Sequence, residues 1–161
     1  PVHGELADRV ILMTYEWGYT FGPARAVAPL NLVQQVLDYA VTAIPPEKIL
    51  MGIPNYGYDW TLPFVQGTAA RSLSNVGAVD LAARVGAQIM FDETAQSPYF
   101  NYYDSDGRQH EVWFEDARSI RAKLELAHRY GLAGVSYWTV NVFFPQNWLV
   151  MEGTFDVKKR L

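Results

Sequence analysis

Short apolar runs that end in aromatic and polar residues recur three times along the chain. They cover residues 10–15, 49–53 and 134–139. Continuous apolar runs of this length are typical of parallel strands that are buried on both faces, and the carboxyl ends of such strands open into ligand sites. The pattern therefore predicts three parallel strands whose ends share one site.

Helical periodicity fills the spaces between these strands. Apolar residues recur at helical spacing over 32–44, and Pro45-Pro46 stops that helix. A second helix is predicted after Asp116, a plausible N-cap, and Gly131 stands where a left-handed C′ residue is expected. Strand, helix and strand in this order make βαβ units, so the fold class is α/β.

Residues 63–113 have a different pattern, which predicts a small α+β insertion. A short helix is expected over 76–85, ended by Gly86, and Asp106-Gly107 is a strong hairpin signal. The strand-like runs are 88–91, 99–103 and 111–114. The chain is thus divided into 1–62 (two barrel strands and a helix), 63–113 (the insertion) and 114–161 (the last barrel helices and strand).

The amino-acid composition excludes several classes of function for this protein. The 161 residues are 50% hydrophobic and 14% aromatic, with a net charge of −4 and no cysteine. The net negative charge argues against binding to nucleic acid. The short basic run Lys158-Lys159-Arg160 is better explained as a solvated chain end than as a binding patch. No apolar stretch approaches the length of a membrane span. The three histidines lack metal-ligand spacing, so we expect neither a metal nor a cofactor.

Glu16 is the first candidate for chemistry, because Tyr15 and Trp17 flank it at the end of the first strand. A carboxylate between aromatic rings is partly desolvated, which suits acid/base work or hydrogen bonding to a sugar. The alternative is a glutamate at a strand end that faces solvent.

The ends of the other two strands carry further candidates. They are Asn55, Tyr56, Tyr58, Asp59, Trp60 and Trp138. Aromatic rings match the apolar faces of pyranose rings, and amide or carboxylate groups bind the surrounding hydroxyl and acetamido groups. Some of these rings are equally well explained as core, and Asp59 as a turn cap.

Four separated motifs resemble glycoside hydrolase family 18, the chitinase-like TIM barrels. Met13-Thr-Tyr-Glu16 resembles the family's strand-six Met-x-Tyr-Asp, and Gly52-Ile-Pro-Asn-Tyr-Gly57 resembles its strand-seven Gly-x-Pro-x-Tyr-Gly. Phe114-Glu-Asp116 resembles the entry to its seventh helix, and Gly134-Val-Ser-Tyr-Trp138 its strand eight. The residues of these motifs are most similar to those of bacterial spore-germination, cortex-fragment-lytic N-acetylglucosaminidases.

The resemblance implies the C-terminal part of a (β/α)8 barrel, about strands six to eight, with the family's α+β insertion. It implies that Tyr15 bonds the substrate's N-acetyl group, that Glu16 bonds the acetamido group or the catalytic acid, and that Trp138 stacks under the sugar. The remaining residues implied to bind substrate are Trp17, Asn55, Tyr56, Tyr58 and Trp60.

The family cleaves by substrate assistance, in which the 2-acetamido oxygen attacks the anomeric carbon while one Glu protonates the leaving oxygen. That Glu belongs to an Asp-x-x-Asp-x-Asp-x-Glu motif. The matching spacing here, 101–108, begins with Asn101 and has Arg108 in the place of the acid. We therefore expect the general acid outside this chain, and the isolated 161 residues to be inactive.

The implied partners are a glycan containing N-acetylglucosamine and either the missing N-terminal barrel half or another copy of the chain. The implied location is the spore coat, the cortex or the cell wall. Two other functions stay open. One is a non-catalytic carbohydrate-binding remnant of the same fold, and the other is an independent enzyme in which Glu16 and Asp59 act as a carboxylate pair.

Overall fold

A computed structural model describes residues 2–155 of the chain, which form two sheets and their covering helices. In chain order the elements are α1 (Val2–Leu6), β1 (Val10–Leu12), α2 (Leu30–Ala43), a 3-10 turn (Pro46–Lys48), β2 (Ile49–Pro54), β3 (Gly57–Leu62), β4 (Arg71–Leu73), α3 (Asn75–Val85), β5 (Met90–Asp92), β6 (Ser97–Tyr103), β7 (Gln109–Trp113), α4 (Ala117–Arg129), β8 (Gly134–Trp138) and α5 (Pro145–Thr154).

The predicted parallel sheet is present, with strand order β1–β2–β8. Val10 pairs with Ile49, and Leu50 pairs with Gly134, so the carboxyl ends of all three strands lie at one edge. Helices α2 and α4 cover the sheet through apolar side chains spaced one helical turn apart. The largest members of this core that are less than 2% exposed are Leu37, Met51, Ile53, Ile120, Leu124 and Leu126.

The antiparallel sheet has the strand order β4–β3–β7–β6–β5 and carries α3 against one face. It begins at Gly57, earlier than the insertion boundary expected at residue 63. Residues 57–62, which the sequence-based division grouped with the barrel strands, form a separate strand that pairs with β7. Only Asn55 and Tyr56, which belong to neither strand, separate the end of β2 from the start of β3 in the other sheet.

The hairpin predicted at Asp106-Gly107 joins β6 to β7. Asp104 Oδ1 accepts hydrogen bonds from the backbone N–H of Asp106 at 3.0 Å and of Arg108 at 2.9 Å. The Arg108 backbone N–H is the main reason why the pKa of Asp104 falls to about 2. The Asp104 carboxylate therefore stabilises the hairpin turn through hydrogen bonds from its backbone.

Helix α4 has the predicted ends. Asp116 accepts from the backbone N–H of Ser119 at 3.1 Å, and the Ser119 hydroxyl accepts from the backbone N–H of Asp116 at 2.9 Å, which is a reciprocal capping box. Gly131 follows the helix with φ of 62°, a left-handed value that costs glycine little. The sequence analysis did not delimit α5, which follows β8 after a short loop.

Several large apolar side chains lie exposed near the parallel sheet. They are Ile11 and Met13 on and after β1, Val140 and Phe143 after β8, and Leu149 on α5. Strands β1 and β8 each pair on one side with β2, and no other pairing is present for them within residues 2–155. These exposed edges are what one expects of three strands taken from a larger barrel.

Candidate glycan-binding cleft

A cleft of about 450 Å³ opens at the carboxyl edge of the parallel sheet. It is lined by Tyr15, Glu16, Tyr56, Tyr58, Ser72, Trp138, Thr139, Asn141 and Val142. The parallel strands supply residues from beyond β1 and β2 and from the end of β8, and the antiparallel sheet supplies one wall. The cleft is thus built where the two sheets meet, at the strand ends where ligand sites of α/β barrels lie.

Glu16 lies at the centre of a hydrogen-bonded cluster in this cleft. Its Oε1 accepts a hydrogen bond from the Tyr56 hydroxyl and another, at 3.1 Å, from the Tyr58 hydroxyl. Within residues 2–155 its second carboxylate oxygen has no hydrogen-bond partner. The side chain is exposed, so that oxygen is accessible to a ligand.

The hydroxyls of Tyr56 and Tyr58 stay protonated at every pH at which an ordinary tyrosine is neutral, so both are neutral hydrogen-bond donors. Burial is the main cause that raises the pKa of Tyr56 far above its ordinary value, and the hydrogen bond to Glu16 and the charge of its carboxylate raise it further. Burial also raises the pKa of Tyr58. Both hydroxyls therefore keep their protons and hold the carboxylate in one orientation.

Tyr15 reaches the cleft because the neighbouring strand has no side chain in its way. A Cβ on Gly52 would lie 2.7 Å from the Tyr15 ring and 2.5 Å from the backbone oxygen of Leu12. The hydroxyl of Thr14 donates to the backbone oxygen of Gly52 at 2.7 Å, which fixes β1 against β2 at this point. Gly52 is thus required by close approach of the two strands and of the Tyr15 ring.

Trp138 ends β8 and is 58% exposed, with its ring on the cleft wall. The peptide bond between Trp138 and Thr139 is cis. An exposed indole in a cleft is a platform of the kind on which sugar rings stack. Five of the eight predicted site residues line the cleft, namely Tyr15, Glu16, Tyr56, Tyr58 and Trp138.

Three predicted site residues lie elsewhere. Trp17 packs against the core between the helices and the parallel sheet. Trp60 is 2% exposed, and its indole N–H donates to the backbone oxygen of Gly22 at 2.9 Å. Asn55 is 4% exposed and makes its hydrogen bonds within the protein. None of the three lines the cleft.

The geometry also separates Asp59 from Glu16, which removes the basis for a carboxylate pair. Neighbouring residues on a strand point to opposite faces of the sheet, and Tyr58 takes the face toward Glu16. On the other face Asp59 accepts from the Tyr102 hydroxyl at 2.8 Å, and it lies 2.8 Å from Nδ1 of His110. Asp59 is a buried structural carboxylate.

Four lining residues were not predicted from the sequence: Ser72, Thr139, Asn141 and Val142. The last three lie within four residues after Trp138, so a rule that extends each site past the strand end would have included them. Ser72 comes from β4, where it is the register partner of Tyr58. Its place in the cleft depends on pairing in the antiparallel sheet, which local sequence does not reveal.

Neither a metal site nor a membrane helix is found in the part of the chain that the structure describes. No three His, Asp or Glu side chains between residues 2 and 155 come together as a metal site would require. Over the same residues, each helix is too short or too polar to cross a bilayer.

Comparison with known proteins relates the chain to a group of glycosidases. The model of "Glycosyl hydrolases family 18" matches residues 3–142. The "Cortical fragment-lytic enzyme" of Bacillus subtilis (strain 168) is 52% identical over 159 residues, which cover 98% of this chain and 37% of that enzyme. The chain therefore spans little more than a third of that relative's length.

Two solved structures share the fold. The Bacillus cereus spore cortex-lytic enzyme SleL has a TM-score of 0.95 at 48% identity, over 98% of this chain and 36% of its own. A chitinase from Chromobacterium violaceum has a TM-score of 0.86 at 36% identity, over 92% of this chain and 46% of its own. These matches confirm the predicted fold, the C-terminal part of a TIM barrel with an α+β insertion.

Proposed function

Because the chain belongs to glycosyl hydrolases family 18, we propose that its cleft is part of the substrate site of a glycosidase. The substrate is a glycan that contains N-acetylglucosamine, and the enzyme acts on the peptidoglycan of the spore cortex. The observation that carries the proposal is the juxtaposition of Glu16, fixed by two tyrosine hydroxyls, with the exposed indole of Trp138 in one cleft.

Each group in the cleft has a role in this proposal. Trp138 offers an apolar surface to a pyranose ring, while the free oxygen of Glu16 accepts a hydrogen bond from an acetamido N–H or from the catalytic acid. Tyr15, on the same wall, donates to the acetamido group. Together they hold the acetamido oxygen against the anomeric carbon, which substrate assistance requires.

The general acid of this reaction belongs to a part of the barrel outside these residues. Glu16 is the one carboxylate among the described side chains that line the cleft, and substrate assistance needs a separate carboxylic acid at the leaving oxygen. We therefore propose that the 161 residues alone bind glycan without cleaving it. Cleavage requires the longer polypeptide.

The test uses the natural polypeptide that carries this chain, with chitotetraose and purified cortex fragments as substrates. We expect kcat/KM to fall by about 10²-fold in Glu16→Gln and in Trp138→Ala, because each change removes contacts that fix the reacting group. The matched controls are Glu47→Gln and Trp17→Phe, which alter a glutamate and a tryptophan outside the cleft. Absence of turnover and of binding for both glycans would disprove the proposal.

The same carboxylate count favours one second function, a glycan-binding module without hydrolysis. It predicts that the natural polypeptide binds chitotetraose through Trp138 but releases no product on long incubation. Fluorescence titration beside product analysis distinguishes the two functions, since the enzyme gives binding and product while the module gives binding alone.

A further inference from the structure

We propose that Asn55 and Asn75 form a buried amide relay that positions the cleft segment 138–142. This segment carries Trp138 and three other lining residues. The two asparagines are positioning residues, since they act on the site through the segment and not by contact with a glycan. The inference rests on the proposed function only for its effect on turnover.

Asn55 holds the segment at three points. Its backbone N–H donates to the backbone oxygen of Trp138 at 2.7 Å, and its side-chain Nδ2 donates to the backbone oxygens of Thr139 at 3.1 Å and of Val142 at 2.8 Å. Within residues 2–155, all hydrogen bonds that reach 139–142 from outside the segment come from the Asn55 side chain. The Asn55 amide therefore anchors the chain between the end of β8 and the buried Phe144.

Asn75 holds the Asn55 amide in place through a hydrogen bond between the two side chains. Its Nδ2 donates to Asn55 Oδ1 at 3.4 Å, and its Oδ1 accepts from the backbone N–H of Glu115 at 2.9 Å. Asn75 is 1% exposed, so water does not replace these partners. The relay runs from the start of α4 through the start of α3 to the cleft.

The direction of the relay is determined at both ends. The Glu115 N–H can only donate, so the Asn75 atom facing it must be the oxygen. The oxygens of Thr139 and Val142 can only accept, so the Asn55 atom facing them must be the nitrogen. Neither amide can flip without placing like groups against each other, which explains why two asparagines, and not two carboxylates, occupy these positions.

Asn75→Asp is the decisive variant because it keeps the shape of the side chain and replaces the Nδ2 donor with an oxygen of a buried, ionisable carboxyl group. The aspartate keeps an oxygen for the Glu115 N–H, and a carboxylate in the first turn suits the N-terminus of α3. It puts a carboxylate oxygen against Asn55 Oδ1 in place of a donor. When protonated, the same carboxyl can donate to Asn55 Oδ1 and restore the relay.

The readout is hydrogen exchange of the backbone N–H of residue 55, which donates to the backbone oxygen of Trp138 at the start of the segment, measured with each variant beside the unaltered protein at pH 7.5 and pH 4. We expect Asn75→Asp to exchange about tenfold faster at pH 7.5 and nearly as slowly as the unaltered protein at pH 4. Asn55→Ala is expected to exchange faster at both pH values, because its lost donors do not titrate. Asn31→Asp, the same change in the first turn of α2, is expected to leave this exchange unchanged.

Turnover of chitotetraose by the natural polypeptide provides the second readout. We expect kcat/KM of Asn75→Asp to fall about tenfold at pH 7.5, with the loss relative to the unaltered enzyme shrinking toward pH 4. Unchanged exchange in both Asn75→Asp and Asn55→Ala, or a defect in Asn75→Asp that is equal at both pH values, overturns the relay. If the unaltered polypeptide neither cleaves nor binds glycan, the proposed function fails, while the exchange data still decide the relay.

Discussion

At the residue scale, Glu16 combines a functional side chain with an unfavourable backbone. Its φ is 69°, in the left-handed region where an L-residue with a Cβ costs about 1–2 kcal/mol. The conformation turns the carboxylate out of the strand direction and toward the hydroxyls of Tyr56 and Tyr58. Backbone strain of this kind is typical of functional sites, where the surrounding structure maintains it.

A pair of substitutions separates the strain from the side chain. Glu16→Ala removes the carboxylate and keeps the Cβ, while Glu16→Gly removes both. We expect Glu16→Gly to have a free energy of unfolding about 0.5–1 kcal/mol above that of Glu16→Ala, because glycine adopts positive φ without steric cost. Urea unfolding measures the difference, and an alanine variant as stable as the glycine variant would contradict it.

At the element scale, a buried ion pair connects the residue before the N-cap of α4 to the helix's own second turn. Lys123 Nζ donates to Glu115 Oε2 at 2.9 Å, and both side chains are 1% exposed. Burial, the largest effect, raises the pKa of Glu115, while the nearby Lys123 ammonium lowers it in part. The other oxygen of Glu115 has no partner among the described residues. Removal of the lysine leaves a carboxylate that is stable in the core only when protonated.

Lys123→Met is therefore expected to be destabilised more at pH 7.5 than at pH 4.5. In the variant the folded pKa of Glu115 exceeds its unfolded value, so the protonated form contributes stability at low pH. That contribution falls by about 1.4 kcal/mol for each pH unit above the unfolded pKa, until the folded pKa is reached.

Chemical denaturation at the two pH values tests this sign. Lys48→Met serves as the matched control, because within residues 2–155 Lys48 donates to backbone oxygens and to no carboxylate. Its loss of stability is expected to be the same at both pH values. A Lys123→Met deficit that does not grow with pH would show that Glu115 is already neutral in the folded state of the unaltered protein, so that the lysine does not keep it ionised.

At the scale of the whole molecule, the parallel sheet leaves apolar edges exposed. Ile11 is 55% exposed on β1, and Phe143 and Leu149 are exposed beyond β8. We expect the isolated 161-residue chain to associate with itself, with a mass in light scattering that rises above 18.2 kDa as its concentration increases. Ile11→Lys is expected to reduce this association.

Tyr39→Lys is the control for this prediction, since Tyr39 is exposed on α2. It places the same charge on a large exposed residue outside the sheet edge. Equal effects of the two lysine substitutions would assign the association to net charge. A constant mass of one chain at all concentrations would show that the edges do not associate.

The outcome at individual positions shows which parts of the molecule local sequence can predict. The rule that the carboxyl ends of parallel strands meet at one edge, which needs no knowledge of distant contacts, was enough to place Glu16 at the cleft. Trp138 was chosen as a site residue from the family resemblance, and it too lines the cleft. The roles of Tyr58, Asp59 and Trp60 were not separable, because they depend on which face of β3 meets the cleft. That face is set by the pairing of β3 with β7, some fifty residues later in the chain.

The place of the insertion between β2 and α4 has a consequence for how the chain folds. Leu50 and Gly134 are register partners, so the loop that must close before β2 meets β8 contains the whole insertion. Strands β5, β6 and β7 pair with their neighbours along the chain, and such local contacts form before distant ones. Once these strands have paired, the flexible loop between β2 and β8 is shorter, and closing it costs less entropy. We therefore expect the insertion to fold first and to make the pairing of β2 with β8 easier.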